Sequence, residues 1–342
     1  MVLKVTEKNK SPLTFALLGC GVAAGIHADA INKLESAKLK GVFDPNVKSR
    51  QSFSEKYNIA AFNSFDELLN DKEIDIVCIC TPSFLHAENT IAALNHGKHV
   101  VIEKPMAMTS DDADAIIKAS QDTGKLVTVI SQIRFSPDVQ KIKKLLSENA
   151  FGKISLCSLY MKYYRTTEYY SGSNWRGSLS LDGGVLMNQG IHGIDLIEYI
   201  MGNVKEVHGK IGTLVHNIEA PDTAIAMVEF ENGALGVIEG STCAYPGFER
   251  RLEIQGDKGY VVLKENNIEK LMINGEMVID GIKSEQIVKT ASDPTNILCG
   301  LHLLQLQNFV RAIRGEEPLL VDGTEGKKAI KMIEKIYTTN EL

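Results

Sequence analysis

Residues 14–25 read TFALLGCGVAAG, and this stretch decides the fold. An apolar run leads into Gly19 and Gly21, and a segment with helical spacing follows. With Ala24 these glycines match G-x-G-x-x-[GA], in which glycine permits a tight turn and lets backbone N–H groups approach a pyrophosphate at the positive end of a helix. A glycine pattern alone also fits an ordinary turn. The residues predicted to bind a dinucleotide here are Gly19, Gly21, Val22, Ala23 and Ala24.

The alternation of apolar runs with helical segments continues to residue 130. Four further runs are LKGVFD, IDIVCIC, HVVIEKP and LVTVIS. They are rich in Val, Ile and Cys without polar alternation, which is typical of parallel strands buried on both faces. Since helical segments lie between the runs, the sequence predicts a doubly wound parallel sheet in an N-terminal domain over residues 1–135.

The pattern changes after Pro137. A helical segment, DVQKIKKLLSEN, precedes a long Tyr-rich segment and one more helix, and strands separated by turns such as ENG and QGDKG hold most of residues 204–290. Residues 296–338 are predicted to form two closing helices around the turn RGEEP. We therefore expect a second, α+β domain over residues 136–342 with a largely antiparallel sheet, in a chain of the α/β class.

The composition is that of a folded chain of 342 residues, 44% hydrophobic and 23% charged, enough for about two domains. The net charge is −6 and no long basic block is present, so nucleic acid is not an expected partner. The start, MVLKVTEKNKSP, lacks an apolar signal core, and no stretch approaches the roughly 20 apolar residues that cross a bilayer. The six cysteines show no CxxC or metal-ligand spacing. We expect reduced thiols, no metal site, no membrane partner and a cytoplasmic location.

Asp44 ends the second apolar run, where an acidic residue can bind a ribose 2′-hydroxyl roughly 20 residues past the glycines. A carboxylate there repels a 2′-phosphate, which favours NAD. Lys48 and Arg50 lie close enough in sequence to leave NADP open. The alternative interpretation is an ordinary Asp-Pro turn.

Two more strand ends carry polar residues, CTPSFLH at 80–86 and EKP at 103–105. Open α/β sheets bind ligands at the carboxyl ends of their strands. Because Pro105 favours an extended residue before it, Lys104 should project from the strand end. His86 also fits a packed or capping role. The cofactor-binding candidates from these segments are Thr81, Pro82, His86, Glu103 and Lys104.

A polar stripe is expected in the segment GGVLMNQGIHGIDLIEYIMG. Read as one helix, it places Asn188, His192, Asp195 and Tyr199 on one face at offsets of 4, 3 and 4. Oxidation of an alcohol needs a base for the hydroxyl proton, and we predict that His192 is this base, although many helical histidines are structural. Lys104, if desolvated near a nicotinamide, would have a lowered pKa and could hydrogen-bond the developing carbonyl oxygen. Asn188 and Asp195 are substrate-binding candidates, and Asp195 could instead orient the imidazole or pack the helix.

Five of the ten tyrosines lie in LYMKYYRTTEYY, residues 159–170, and the only tryptophan, Trp175, follows. Aromatic faces together with Arg165 or Arg176 can stack on a pyranose and hydrogen-bond it or its phosphates. We take Tyr164, Trp175 and Arg176 as substrate-binding candidates. Tyrosines on an exposed sheet face equally suit a subunit interface.

In this order, the motifs resemble the glucose–fructose oxidoreductase and inositol dehydrogenase family, Gfo/Idh/MocA, over nearly the whole chain. The resemblance rests on GCGVAAGIHADAI, on the E-K-P of VCICTPSFLHAENTIAALNHGKHVVIEKPMAMT, on the G-x-H-x-x-D of WRGSLSLDGGVLMNQGIHGIDLIEYIMG, and on the ending HLLQLQNFVRAIRGEEPLLVDGTEGKKAIKMIEKIY. It implies a Rossmann domain, a C-terminal α/β domain with an open-faced sheet, NAD(P), and hydride transfer at a sugar or cyclitol hydroxyl. It also implies a homodimer or homotetramer formed through that sheet.

The resemblance extends to single residues. Similar inositol dehydrogenases commonly have an aspartate four residues before the histidine, where this chain has Asn188; asparagine can orient a hydroxyl but cannot share a proton. In similar members the Trp175–Arg176 pair lies near nicotinamide and substrate. We expect an NAD-dependent oxidoreductase that acts on a secondary hydroxyl of a sugar or nucleotide sugar. The alternatives are an inositol dehydrogenase, an NAD-dependent glycosidase, and a cofactor-sensing regulator without chemistry.

Overall fold

The structure is a computed structural model that describes residues 11–281 and 299–339. Its first sheet has six parallel strands in the order β3-β2-β1-β4-β5-β6, which confirms the predicted doubly wound sheet. The strands are β1 (Leu13–Leu18), β2 (Ala37–Phe43), β3 (Ala60–Ala61), β4 (Ile76–Ile79), β5 (His99–Ile102) and β6 (Val127–Val129). The helices between them are α1 (Val22–Ile31), α2 (Val47–Tyr57), α3 (Phe65–Asn70), α4 (His86–Asn95) and α5 (Ser110–Thr123).

The apolar runs form strands because both faces of this sheet are covered. Successive side chains of a strand point to opposite faces, and in β1 Phe15 and Leu17 enter one buried cluster while Ala16 and Leu18 enter the other. β4 is buried at every position. The elements β3 and α3 were not predicted because they are too short to show a period: β3 has two residues, both exposed, and α3 is six residues long.

The second sheet has eight strands in the order β14-β13-β12-β11-β7-β10-β9-β8. All its pairs are antiparallel except β7 with β10, which confirms a largely antiparallel sheet. The strands are β7 (Ile154–Lys162), β8 (Val204–Gly212), β9 (Thr223–Phe230), β10 (Leu235–Ser241), β11 (Arg251–Gly256), β12 (Gly259–Lys264), β13 (Asn267–Ile273) and β14 (Glu276–Asp280). The part of the predicted strand region beyond residue 281 lies outside the described residues.

Helices cover one face of this second sheet: its strands contact α6 (Pro137–Ser147), α8 (Ile191–Met201), α10 (Gly323–Thr338) and a π-helical turn at Val185–Gly190 before α8. The other two helices described in this part of the chain are α7 (Thr167–Ser171) and α9 (Gly300–Ile313). Strand β9 alternates between buried and exposed residues, so Ile225 and Met227 point away from the helices and are 54% and 56% exposed. The other face of the sheet is therefore open and partly apolar.

The last two helices, α9 and α10, together pack against elements of both domains. Both predicted closing helices are present as α9 and α10, although the first residues of the predicted segment, 296–298, lie outside the described residues. α9 packs against α1, and its Leu306, Phe309 and Val310 join the cluster that holds Phe15 and Leu17. The proposed division at residue 135 falls in a 3-10 turn between β6 and α6. Within 11–281 and 299–339, no helix has the length and apolarity that a membrane span requires.

Candidate active site

The glycine loop joins β1 to α1 at the carboxyl edge of the first sheet. Gly19 has a φ of +104°, and a Cβ there would lie 2.6 Å from the carbonyl oxygen of Cys80, so only glycine allows this close approach. Gly21 precedes α1, and among the described residues no atom lies within 4 Å of where its Cβ would stand. The start of α1 is thus uncapped by a side chain and open. This arrangement fits the pyrophosphate of a dinucleotide.

Asp44 lies beside this loop. Its Oδ2 accepts the N–H of Cys20 at 2.9 Å, and its Oδ1 accepts the N–H of Asn46 at 2.8 Å. A carboxylate offers about four acceptor sites, so it can still accept hydroxyl hydrogens of a ribose. Arg50 donates to the Asp44 carbonyl oxygen at 3.0 Å, and its guanidinium lies over the Phe43 ring.

His86 holds two strand-end loops together. Its ring nitrogens lie 2.6 Å from the carbonyl oxygen of Pro105 and 2.8 Å from that of Thr81. The side chain is buried, and burial lowers the pKa of the imidazole. The contacts of His86 therefore fit the packed role that the sequence left open, in which it joins the backbones of Thr81 and Pro105.

Glu103 makes two hydrogen-bond contacts at the end of strand β5. Its Oε1 lies 2.9 Å from Nε2 of the buried His27, and its Oε2 accepts the N–H of Lys104 at 3.2 Å. His302 of α9 packs edge-on against His27, with 5.6 Å between ring centroids. Burial raises the pKa of Glu103, but the bond to His27 and the nearby charges outweigh it and leave the pKa below its ordinary value.

Lys104 reaches across to the second domain. Its Nζ donates to the backbone oxygen of Asn188 at 2.8 Å and lies 3.5 Å from Oδ1 of the same residue. Burial lowers the pKa of the ammonium group, and the carboxylates of Glu103 and Asp182 oppose this change. The two halves of the predicted site, the E-K-P strand end and the helix with His192, therefore meet at one point.

His192 lies in the first turn of α8. Burial is the main cause that holds the pKa of its imidazole well below the ordinary value, and the positive charge of Lys104 adds to it. Among the residues that the structure describes, the ring makes no hydrogen bond. A neutral imidazole beside an ammonium group can accept a proton from a bound hydroxyl.

Asp195 does not face this imidazole. Both of its oxygens accept hydrogen bonds from Arg134, at 2.8 and 3.0 Å, and one also accepts from Ser131 at 3.1 Å. Three residues of α-helix turn through about 300°, which sets Asp195 about 60° to the side of His192. The ring of Tyr199 lies under Arg134, 4.7 Å from its guanidinium carbon. These contacts fit the helix-packing role that the sequence left open for Asp195.

The Tyr-rich segment contributes cations to the site. The Arg176 guanidinium lies 4.3 Å from the centroid of the Tyr169 ring and 5.5 Å from that of Trp175, and its Nε has no hydrogen-bond partner among the described residues. Arg165 donates to Gln189 at 2.7 and 3.1 Å. The charges of both arginines act on Lys104. Three cationic side chains, Lys104, Arg165 and Arg176, are therefore within electrostatic reach of one another.

Two residues of this region were not among the candidates. Tyr164, which was a candidate, packs edge-on against Tyr245, with 5.2 Å between ring centroids, and Tyr245 is 77% exposed. Tyr169 was not a candidate; its ring lies against Arg176, and its hydroxyl accepts a hydrogen bond from Gln189 at 2.7 Å. Asp182 was also missed, although it stands in the quoted segment SLDGGVLMN as a polar residue among apolar ones and is 2% exposed.

Comparison with known proteins agrees with this arrangement. A family model described as an oxidoreductase family with an NAD-binding Rossmann fold matches residues 13–131, and a model of the GFO/IDH/MocA C-terminal domain matches residues 139–262. Myo-inositol 2-dehydrogenase of Thermotoga maritima is 25% identical over 324 residues, 93% of each chain. Oxidoreductase YrbE of Bacillus subtilis is 30% identical over 257 residues, 71% of each chain.

A solved structure extends the comparison. The WlbA dehydrogenase from Bordetella pertussis, in complex with NADH and UDP-GlcNAcA, superposes with a TM-score of 0.85 over 96% of each chain, at 29% identity. The expected fold, cofactor and enzyme class are thereby confirmed. The chain belongs to the Gfo/Idh/MocA family and is an NAD-binding oxidoreductase.

Proposed function

We propose that the protein is an NAD-dependent dehydrogenase of a nucleotide sugar that carries an acidic group, and that it oxidises a secondary hydroxyl of the sugar. The observation that carries this proposal is the contact of Lys104 with Asn188, four residues before His192, at the junction of the two domains; the charge of Lys104 acts on His192, and the charges of Arg165 and Arg176 act on Lys104. The likeness to a dehydrogenase that binds UDP-GlcNAcA supports the substrate class.

Two side chains divide the work at the reacting hydroxyl. The glycine loop and Asp44 would hold NAD, which would supply the acceptor for the hydride of the carbinol carbon. His192, neutral at pH 7, takes the hydroxyl proton, and the Lys104 ammonium hydrogen-bonds the oxygen as it becomes a carbonyl. Each of these effects commonly contributes about 10²- to 10⁴-fold to an enzymatic rate. Asn188, held against Lys104, is in position to hydrogen-bond a neighbouring hydroxyl.

The charge around the site favours an anionic substrate. Guanidinium groups pair with carboxylates and phosphates through parallel hydrogen bonds, and Arg176 has an unpartnered Nε among the described residues. Trp175 and Tyr169 flank this guanidinium and can stack on a sugar face. An inositol, which is uncharged, would offer no anionic group to the Arg176 guanidinium.

The substrate class can be tested by comparing matched sugars. We expect kcat/KM for UDP-GlcNAcA to exceed that for UDP-GlcNAc by at least about tenfold, because a lost charged hydrogen bond is worth roughly 1.5–3 kcal/mol. Initial rates of nicotinamide absorbance with both compounds and myo-inositol give the comparison. Equal rates with the two nucleotide sugars, or a preference for myo-inositol, would overturn the substrate assignment.

Asp44 is proposed to bind the ribose hydroxyls of NAD and to exclude a 2′-phosphate. The variant Asp44→Ser is expected to raise kcat/KM with NADP relative to NAD about tenfold, since the repelling carboxylate is gone while Lys48 and Arg50 remain. Steady-state rates with both cofactors measure the ratio. Asp111→Ser, at an exposed position in α5, is the matched control. An unchanged ratio in Asp44→Ser would contradict the assignment.

We further propose a homodimer or homotetramer formed through the open face of the second sheet. Ile225, Met227 and Leu235 are each more than half exposed on that face, and exposed apolar patches of this kind commonly mark interfaces. A solution mass of two or four times 37.6 kDa is the expected light-scattering result. The unpaired state of the six cysteines is consistent with our proposal that the protein acts in the cytoplasm.

A further inference from the structure

Asp182 is a buried carboxylate that the proposed reaction does not use. It lies in the turn before the π-helical segment and is 2% exposed. Its Oδ2 accepts the N–H of Gly177 at 3.0 Å, and its Oδ1 accepts a hydrogen from Nδ2 of Asn188. A buried carboxylate is costly unless donors satisfy it. Both of its donors belong to the site, because Gly177 follows Arg176 and Asn188 contacts Lys104.

The Asn188 amide lies between an acceptor and a donor. A carboxylate without a proton can only accept hydrogen bonds, and an ammonium group can only donate them. One orientation of the amide satisfies both: its NH₂ donates to Asp182, and its Oδ1 faces Lys104, 3.5 Å from Nζ. With the amide turned over, its NH₂ would face the ammonium and its oxygen would face the carboxylate. The carboxylate of Asp182 therefore determines which atom Asn188 presents to Lys104.

We propose that Asp182 is a positioning residue: it fixes the Asn188 amide with its oxygen toward the Lys104 ammonium, and it supplies a negative charge that holds that ammonium in place. This inference rests on the proposed role of Lys104 in the reaction. An amide passes no proton at neutral pH, so Asp182 acts through orientation and charge and not through a proton relay. Position 188 itself carries no acidic group in this chain. The carboxylate of Asp182 instead accepts a hydrogen bond from the Asn188 amide.

The charges around Lys104 determine how the loss of Asp182 would change the pKa of the Lys104 ammonium group. Glu103 and Asp182 face it with negative charge, and Arg165 and Arg176 with positive charge. The imidazoles of His86 and His192 are also within its electrostatic reach, and burial lowers the pKa of both. Burial already favours the uncharged amine. Removing one of the two carboxylates leaves the arginines less opposed, so the pKa of Lys104 falls further.

Three variants separate orientation from simple damage to the fold. In Asp182→Asn, the new side-chain oxygen can still accept from Gly177, but its NH₂ faces the Asn188 NH₂, which then turns toward Lys104. In Asn188→Asp, two carboxylates come into contact. The exchange variant Asp182→Asn/Asn188→Asp again has an amide that donates to a carboxylate, with the negative charge now directly beside Lys104. It satisfies every donor and acceptor named here and should fold.

The experiment follows the titration of Lys104 without any substrate. The full-length protein is labelled with acetic anhydride over a pH series, and the acetylated peptide that contains Lys104 is quantified by mass spectrometry. In Asp182→Asn, the pH of half-maximal labelling is expected to fall by about one unit relative to wild type. In the exchange variant it is expected to return to the wild-type value or above it. Lys118, which is 74% exposed, is the internal reference in every digest.

A second buried carboxylate provides the control for general damage. Asp222 is 1% exposed and accepts backbone N–H groups of residues 214–216, so Asp222→Asn should leave the labelling of Lys104 unchanged. An unshifted half-labelling pH in folded Asp182→Asn would overturn the proposal. If Asp182→Asn does not fold, the exchange variant decides: a half-labelling pH below the wild-type value would overturn it.

The outcome is independent of the dehydrogenase assay, because acetylation needs neither NAD nor a sugar. A shifted Lys104 titration together with no turnover of any nucleotide sugar would count against the proposed function alone. An unshifted titration together with turnover would count against the role of Asp182 alone.

Discussion

Replacement of Lys104 with Met is expected to lower turnover about 10³-fold while the Kd for NADH changes by no more than a few-fold. Methionine keeps much of the length and apolar stem of lysine but removes the ammonium that hydrogen-bonds the reacting oxygen. A factor of 10³ corresponds to about 4 kcal/mol of transition-state stabilisation, the size found when a positioned donor to a developing charge is removed. The glycine loop and Asp44 are separate from this change, so cofactor binding persists.

The measurement pairs two assays on the same variant. Initial rates at 340 nm report turnover, and the fluorescence of bound NADH reports affinity. Lys118→Met, at a position that is 74% exposed in α5, controls for the general loss of one lysine. Turnover that is unchanged in Lys104→Met, or NADH affinity that falls in parallel with turnover, would show that Lys104 has a different role.

Replacement of His192 with Ala is expected to lower kcat by about 10²- to 10⁴-fold, the usual effect of removing a general base. The wild-type pH profile makes the same assignment testable without a variant. Since burial and the charge of Lys104 hold the pKa of His192 well below its ordinary value, the imidazole is neutral at pH 6.5. We expect kcat/KM to stay level from pH 8 down to pH 6.5 and to decline only at more acidic pH.

His96 provides the matched control for this prediction. It is exposed at the end of α4 and its ring contacts the carbonyl oxygen of Ala92, so His96→Ala should keep wild-type turnover. An acidic decline of kcat/KM centred near pH 6.5 would contradict the lowered pKa of His192. Full activity of His192→Ala would remove it from the mechanism.

The first domain could be predicted because its signals are local. Strand β4 is buried at each of its residues and reads as the continuous apolar run IVCI, which few structures other than a covered parallel strand produce. Gly19 is likewise visible in the sequence, as the first glycine of the motif. The structure gives the reason for this glycine, because a Cβ there would lie too close to the carbonyl oxygen of Cys80. The proline that follows Lys104 in the sequence indicates that this lysine lies at a strand end.

The second half of the site depends on tertiary contacts that no local pattern contains. Asp195 shares a helix with His192, and only the position of Arg134, 61 residues earlier, decides that its carboxylate forms a buried ion pair. Tyr169 and Tyr164 are equivalent in sequence, and the fold alone brings Tyr169 beneath Arg176. The return of α9 to the first domain, with His302 against His27, also has no sequence signal within α1.

The most direct test of the central claim is a single-turnover measurement of hydride transfer. The full-length protein, at a concentration comparable to that of NAD, is mixed with UDP-GlcNAcA and the absorbance at 340 nm is followed. We expect reduced NAD in an amount comparable to the amount of enzyme, formed about 10³-fold more slowly with Lys104→Met. Tight binding of both ligands without any rise at 340 nm, or continued release of UDP with the cofactor spectrum unchanged over many turnovers, would contradict it, and the second result would identify an NAD-dependent glycosidase instead.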